Sequence, residues 1–163
     1  VEIVKAMHLK EYDKALKLID EAHTFKRDAI DLYYLAAEIF MNQGKSDEAK
    51  NRLSKALGIN PLFAPAYYLF GCIYMEENVL DQARESLRKA IYIDKYFLMA
   101  HFYIAQTYKN EGNIKEAIRE HRNTLNLLSK IKSEDIIAYS GGYNAATLMS
   151  VCRDNLERLK LEQ

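Results

Sequence analysis

The side chains in this sequence best suited to chemistry are four histidines, two cysteines and a serine followed by two glycines. His8, His23, His101 and His121 would suit a metal only as helix-spaced pairs or beside paired cysteines, and they form neither arrangement. Cys72 and Cys152 lie far apart and make no CxxC pair, so the sequence predicts packed thiols rather than a disulfide framework or a zinc knuckle. That usage fits a reducing, cytoplasmic compartment. Ser140–Gly141–Gly142 has the look of a phosphate cradle, but no strand pattern precedes it and no P-loop lysine follows, so the expectation is a flexible connector. No catalytic residue, metal ligand or cofactor is expected within the chain.

Binding through surface complementarity is left, and composition narrows it. The 163 residues carry 23 basic and 23 acidic side chains, a balance that argues against a nucleic-acid footprint or a polybasic membrane surface. About half the residues (49%) are apolar, so the chain has the material for a core. No run of 18 apolar residues exists for a membrane span, and VEIVKAMHLK is not a signal peptide.

The organising element is the stretch Ala64–Phe97, APAYYLFGCIYMEENVLDQARESLRKAIYIDKYF. In a frame of 34 residues starting at Ala64, Tyr67, Phe70, Gly71, Tyr74, Ala83, Leu87 and Ala90 fall at positions 4, 7, 8, 11, 20, 24 and 27. Stepping the frame gives Ala15, Ala49, Ala83 and Ala117 at position 20, and Ile19, Leu53, Leu87 and His121 at position 24. Position 27 gives Ala22, Ala56, Ala90 and Thr124, and the turn position, 15, gives Lys10, Gly44, Asn78 and Gly112. Small residues at positions 8 and 20 let two antiparallel helices approach, and large residues at 7, 11 and 24 fill the space around them. This pattern resembles the tetratricopeptide repeat, a helix–turn–helix unit that buries its apolar face only by stacking on neighbours.

The resemblance implies an all-α, right-handed superhelix of such repeats closed by a C-terminal capping helix. The expected divisions are a truncated repeat at 1–29, full repeats at 30–63, 64–97 and 98–131, a loop at 132–143 and the cap at 144–162. Asp28 and Ser46 are expected to cap helices, Gly44 to end one, and Asn60–Pro61 to stop another. The last helix carries Leu148, Val151, Cys152, Leu156 and Leu159 as one apolar stripe. Because the chain begins inside a repeat, it is expected to be a piece of a longer protein.

In this family, positions 2, 5, 9, 12 and 13 of each first helix (the A-helix) line the concave surface. Carried onto this chain, position 5 is Tyr34, Tyr68 and Phe102, and position 9 is Glu38, Cys72 and Gln106. Position 12 is Met41, Met75 and Lys109, position 13 is Asn42, Glu76 and Asn110, and position 2 is Asp31, Pro65 and Met99. Aromatic and methionine side chains offer large adaptable contact area, which suits a peptide or helix of a protein partner. The other reading of the rings is packing between adjacent A-helices. Lys109 is the one basic residue in the set, against Asp31, Glu38 and Glu76, so a clamp for a terminal carboxylate is not expected. Cys72 reads as a small packed thiol on this face, and His121, at a core position, as a hydrogen-bonded interior histidine. Arg84, Glu85, Arg88 and Lys89 on the second helix (the B-helix) read as a solvated convex stripe.

A second resemblance runs from His101 to Leu161. His101–Phe102–Tyr103–Ile104–Ala105, then Tyr108, Gly112, Ala117, Arg119 and Arg122–Asn123, the Ser140–Gly141–Gly142 loop and a final Arg–Asp–Asn–Leu–Glu–Arg–Leu run resemble the repeat segment of CheR-type chemotaxis methyltransferases. That likeness implies a signal-transduction role as a regulatory region. The parent would use S-adenosylmethionine to methylate receptor glutamates, with its catalytic domain outside this chain. The sequence therefore predicts a non-catalytic interaction module, with a structural self-association element as the alternative.

Overall fold

The computed structural model describes residues 2–26 and 29–161, and among them it holds nine α-helices. In chain order these are α1 Glu2–His8, α2 Tyr12–Phe25, α3 Ile30–Asn42, α4 Ser46–Ile59, α5 Ala64–Glu76, α6 Leu80–Ile93, α7 Leu98–Asn110, α8 Ile114–Leu128 and α9 Ala145–Leu161. No strand occurs among the described residues; Ile136 and Asn144 form one isolated antiparallel bridge. No described helix is long and apolar enough to cross a membrane. The chain divides into two compact units, Val1–Leu69 and Phe70–Gln163.

The turns show the 34-residue frame in backbone form. Lys10, Gly44, Asn78 and Gly112 have φ of 57°, 72°, 59° and 76°. One residue past each of them, the amide of Glu11, Lys45, Val79 and Asn113 donates to the carbonyl of Ala6, Phe40, Tyr74 and Tyr108 at 2.8–2.9 Å. That bond and a left-handed residue are how an A-helix closes its last turn and reverses direction. Lysine and asparagine take the left-handed geometry at Lys10 and Asn78, where glycine would take it at lower cost.

In unit 1, Ala15 and Ala49 are wholly buried, as small contact residues must be. Ala6, Ala15, Ile19, Ala36 and Ile39 form a core, with Ile3, Leu16, Leu32 and Phe40 packed against it. The helix starts differ from expectation. Ser46 is the first residue of α4 rather than its cap; Lys45 takes the cap position and no side chain bonds there. Asp28 lies outside the described residues, and the cap position of α3 is Ala29. The turn after α4 is instead fixed by Asn60, whose Oδ1 accepts from the Leu62 amide at 2.9 Å. Asp94, one frame later, does the same for Tyr96 at 2.9 Å.

In unit 2, the close approach of α5 and α6 explains Gly71. A Cβ there would lie 2.6 Å from Leu87 Cγ and 2.8 Å from Leu87 Cδ2, and Leu87 is fully buried. The α6 stripe is only partly solvated. Arg84 pairs with Glu111 and with Asp81, its side chain 24% exposed. Arg88 donates to Tyr108 Oη at 2.6 Å. Both arginines reach from α6 to the α7 hairpin; this corrects the solvated-stripe reading for half-buried Arg84, while Arg88 stays exposed as read, and Glu85 and Lys89 pair with each other on the surface at 2.9 Å.

The chain after α8 is a folded loop, not the flexible connector expected. The Ile137 amide donates to Tyr143 O at 2.9 Å, Ser140 Oγ to Tyr143 O at 3.0 Å, and the Ala145 amide to Asp135 O at 2.9 Å. Tyr139 stacks on Phe97 with ring centroids 5.2 Å apart. Asn144 caps α9, its Oδ1 accepting from the Thr147 amide at 2.9 Å. Helix α9 packs on α8 and buries Ala145, Leu148, Cys152, Leu156 and Leu159. Val151, assigned to that stripe, faces solvent at 39% exposure.

Candidate functional site

The A-helices α3, α5 and α7 carry the residues expected to bind a partner. In unit 1, Tyr34 and Tyr68 are buried at 6% and 5% exposure, and the Tyr34 ring meets Phe63 edge-on at 6.2 Å. These two rings serve packing. The side chains that remain reachable lie one to two turns on: Glu38 and Met41 are half-buried and Asn42 is exposed, as is Asp31 at the helix start. Burial pushes the Glu38 carboxyl above the usual carboxylate range, opposed by the nearby charge of His8 on α1. His8 holds position 13 of the truncated repeat, a role the sequence reading did not assign it.

In unit 2, Cys72 is buried, Met75 half-buried and Glu76 exposed. Burial and the neighbouring Glu77 charge raise the Glu76 carboxyl. On α7, Phe102, Gln106 and Lys109 are half-buried and Asn110 exposed. Phe102 packs edge-on against Tyr103 and His121 at 5.5 and 5.8 Å. Position 2 contributes little surface, because Pro65 and Met99 are buried.

His121 is fully buried, as its core position predicts, but only half satisfied. Its Nε2 lies 3.5 Å from Gln106 Nε2, and its Nδ1 has no partner. Burial, then the charge of Lys109, pushes its pKa down to about 4, so the ring is neutral at pH 7. A second polar cluster was not foreseen. His101 faces Glu120 at 3.5 Å through Nδ1 and Lys95 O at 3.1 Å through Nε2, while Asn123 donates to Glu120 at 3.1 Å. Burial alone would raise the Glu120 carboxyl; the hydrogen bonds from His101 and Asn123 and the charges of His101 and Arg119 hold it below the usual range. These groups sit 19 residues apart at exposed-looking positions, a separation that no local spacing rule reads.

The remaining chemistry-capable groups are quiet. Burial pushes the Cys152 thiol up to about 12, far from a reactive thiolate. Among the described residues no group of three or more His, Cys, Asp and Glu could hold a metal ion. Two hollows open on the B-helix side, about 310 Å³ beside Asn51 and Lys55 and about 550 Å³ beside Glu85 and Tyr92. The larger is a gap between long side chains of α6, and the smaller lies between side chains of α4 and Phe40 of α3.

Comparison with known proteins follows the same line. No curated protein matches the chain in sequence. Its fold is similar to that of TTC0263, a thermophilic TPR protein of Thermus thermophilus, at 17% identity over 98% of this chain and 78% of that one, TM-score 0.75. It is also similar to the type III secretion translocator chaperone SycD of Yersinia enterocolitica, at 16% identity over 84% and 87%, TM-score 0.70. MamA of Desulfovibrio magneticus RS-1 matches at 19% identity over 80% and 74%, TM-score 0.68. Two family models, each described as tetratricopeptide repeat, match residues 6–70 and 64–97, together more than half the chain. With its in-phase turns, its alanine contacts and these matches, the chain carries tetratricopeptide repeats over residues 6–97.

Proposed function

We propose that this chain is a non-catalytic protein-interaction module, and that the A-helix face of its repeats takes a peptide or helical segment of another protein. One observation carries the reading. The outward side chains of α4 and α6 are mostly charged or polar, Ile59 and Tyr92 excepted, and on α6 Glu85 pairs with Lys89; in unit 1 α3 leaves Met41 half-buried near Glu38 in sequence, and in unit 2 α5 leaves Met75 and α7 leaves Phe102 half-buried, the latter one turn from Gln106. A surface mixing adaptable apolar area with a few polar groups is the usual composition of a peptide site. Repeat folds of this kind offer such faces to partners, and the printed role of SycD, a translocator chaperone, agrees. Tyr68, buried, is the support of that face rather than its anchor.

Selection of a displayed random-peptide library on the chain tests this. A consensus motif should emerge, and binding should fall at least tenfold when Asn42 or Asn110 on the A-helices is replaced by arginine, but not when Asn51 on α4 is. A motif that survives the first two changes and is lost with Asn51→Arg would move the site to the B-helices. The likeness of His101–Leu161 to CheR-type repeats supplies a context: a regulatory region of a cytoplasmic, chemotaxis-type methyltransferase. It rests on sequence alone, since the matched family models end at residue 97. The reading frame upstream of Val1 tests it. Self-association is favoured by one feature, the exposure of Val4, Leu9 and Phe25 in the first hairpin at 42%, 59% and 92%. Sedimentation that does not change with concentration would exclude it.

A further inference from the structure

Glu38 is an ionisable side chain placed at a loss. It sits half-buried at position 9 of α3, between the ring of Tyr34 one turn before it and Met41 and Asn42 one turn after. Among the described residues no side chain hydrogen-bonds or ion-pairs with its carboxylate; the nearest compensation is the charge of His8. A carboxylate stripped of water without a partner lowers stability, and glutamine of the same shape would avoid the loss. Uncompensated charges of this kind are concentrated at working surfaces. Its oxygens still reach solvent, since neither is among the buried atoms that lack a partner.

Apart from His8 on α1, the charge carried by this helix has one sign. Helix α3 (IDLYYLAAEIFMN) contains Asp31 and Glu38 and no lysine or arginine. Helix α4, on the other side of the same hairpin, carries Lys50, Arg52 and Lys55. The basic residues of this repeat therefore stand on its B-helix or, at Lys45, in the turn beside the Phe40 ring, and α3 itself carries only acidic and apolar or neutral side chains. Building on the interaction reading above, we infer that the α3 face recognises a cationic side chain, a lysine or arginine flanked by apolar residues in the partner segment, with Glu38 as its counter-charge. An incoming cation would restore to the carboxylate what burial removed. Arginine fits better than lysine where the two oxygens can be met together.

Library selection with three forms of the chain decides this separately from the parent reading. The unaltered chain should enrich peptides with Lys or Arg at one fixed position beside apolar residues. Glu38→Gln should still enrich the apolar positions but lose the basic preference. Glu38→Lys should select Asp or Glu at that same position. A synthetic fluorescent peptide of the first consensus should bind Glu38→Gln about tenfold more weakly and lose its salt dependence, while Glu48→Gln on α4 leaves binding unchanged. A consensus identical for all three forms would overturn the inference and leave the interaction face standing. A consensus lost equally in the Asn42→Arg and Glu38 variants, with no basic position in it, would support the face and reject the counter-charge. No consensus for any form would overturn both. Thermal melts guard the reading: Glu38→Gln should fold at least as stably as the parent, and a large loss would mark Glu38 as a structural residue instead.

Discussion

Position 9 of the repeat is used in two ways. In unit 1 it is Glu38, half-buried, without a hydrogen bond, and raised in pKa by burial. In the last repeat of unit 2 it is Gln106, half-buried and turned to the interior His121 at 3.5 Å. The backbone frame is the same, so the difference lies in what stands beneath: position 24 is Leu53 under the first and His121 under the second. A leucine offers no polar partner to the side chain at position 9. A histidine draws the side chain above it inward. The two A-helices therefore share a frame and differ at this position, one side chain without a hydrogen bond and one turned to a buried histidine.

The rings at position 5 give the largest test. Tyr68, buried, should cost about 3 kcal/mol or more of stability as Tyr68→Ala, while half-buried Phe102→Ala should cost clearly less. Chemical denaturation of both variants checks this; equal losses would mean the rings are equivalent and the exposure difference is immaterial.

Acidification should separate the units next. His121 has a folded pKa of about 4 against an ordinary value of 6.5. The unfolded chain binds a proton first, so stability falls as pH drops from above 6.5 to 4, by about 3 kcal/mol in full. Glu38 has the opposite sign: its raised carboxyl is costly above the ordinary carboxylate range, and that cost is relieved as it protonates. Hydrogen exchange followed between pH 7 and 4.5 should show α8 opening more readily and α3 not. His121→Leu, which places there the residue of the two preceding repeats, should remove the α8 response. If α8 exchanges independently of pH in the parent, the buried neutral ring is wrong.

Glycine contacts refine the frame further. Gly71→Ala should lose about 1–3 kcal/mol, because Leu87 is fully buried and has no room to yield. Gly58→Ala, with nothing within 4 Å of its added Cβ, should gain about 0.5–1 kcal/mol. The same change with opposite signs would confirm that position 8, and not helix propensity, governs Gly71. Smallest of all, Glu38→Gln should leave stability unchanged or raise it by less than about 1 kcal/mol.

Much of the fold was legible because repetition samples each position several times. Four residues at the turn position, Lys10, Gly44, Asn78 and Gly112, all read as turn, and all four are left-handed. What one repeat does alone was not legible. The contacts of half-buried Arg84 and exposed Arg88 were not readable because their partners, Glu111 and Tyr108, belong to the next repeat, and only three-dimensional stacking brings them together. The loop at 132–143 folds through bonds such as Ala145 to Asp135, ten residues apart, with no periodicity to announce them. At the site, residue positions were readable but burial was not: Tyr34, Tyr68 and Phe102 share one position, yet two are covered and one is half-open. The spare carboxylate of Glu38 appears only once its surroundings are known.

The central claim, that the A-helices carry the binding face, is tested most directly by methionine methyl NMR. The chain has five methionines, and their places suit the question. Met41 and Met75 lie half-buried on the A-helices α3 and α5, Met99 is buried, and Met149 lies on α9. Titrating a library-selected peptide into chain labelled at the methionine methyl groups should move Met41 and Met75 and leave Met149 in place. Shifts confined to Met149, or a saturating peptide that moves neither Met41 nor Met75, would contradict the account.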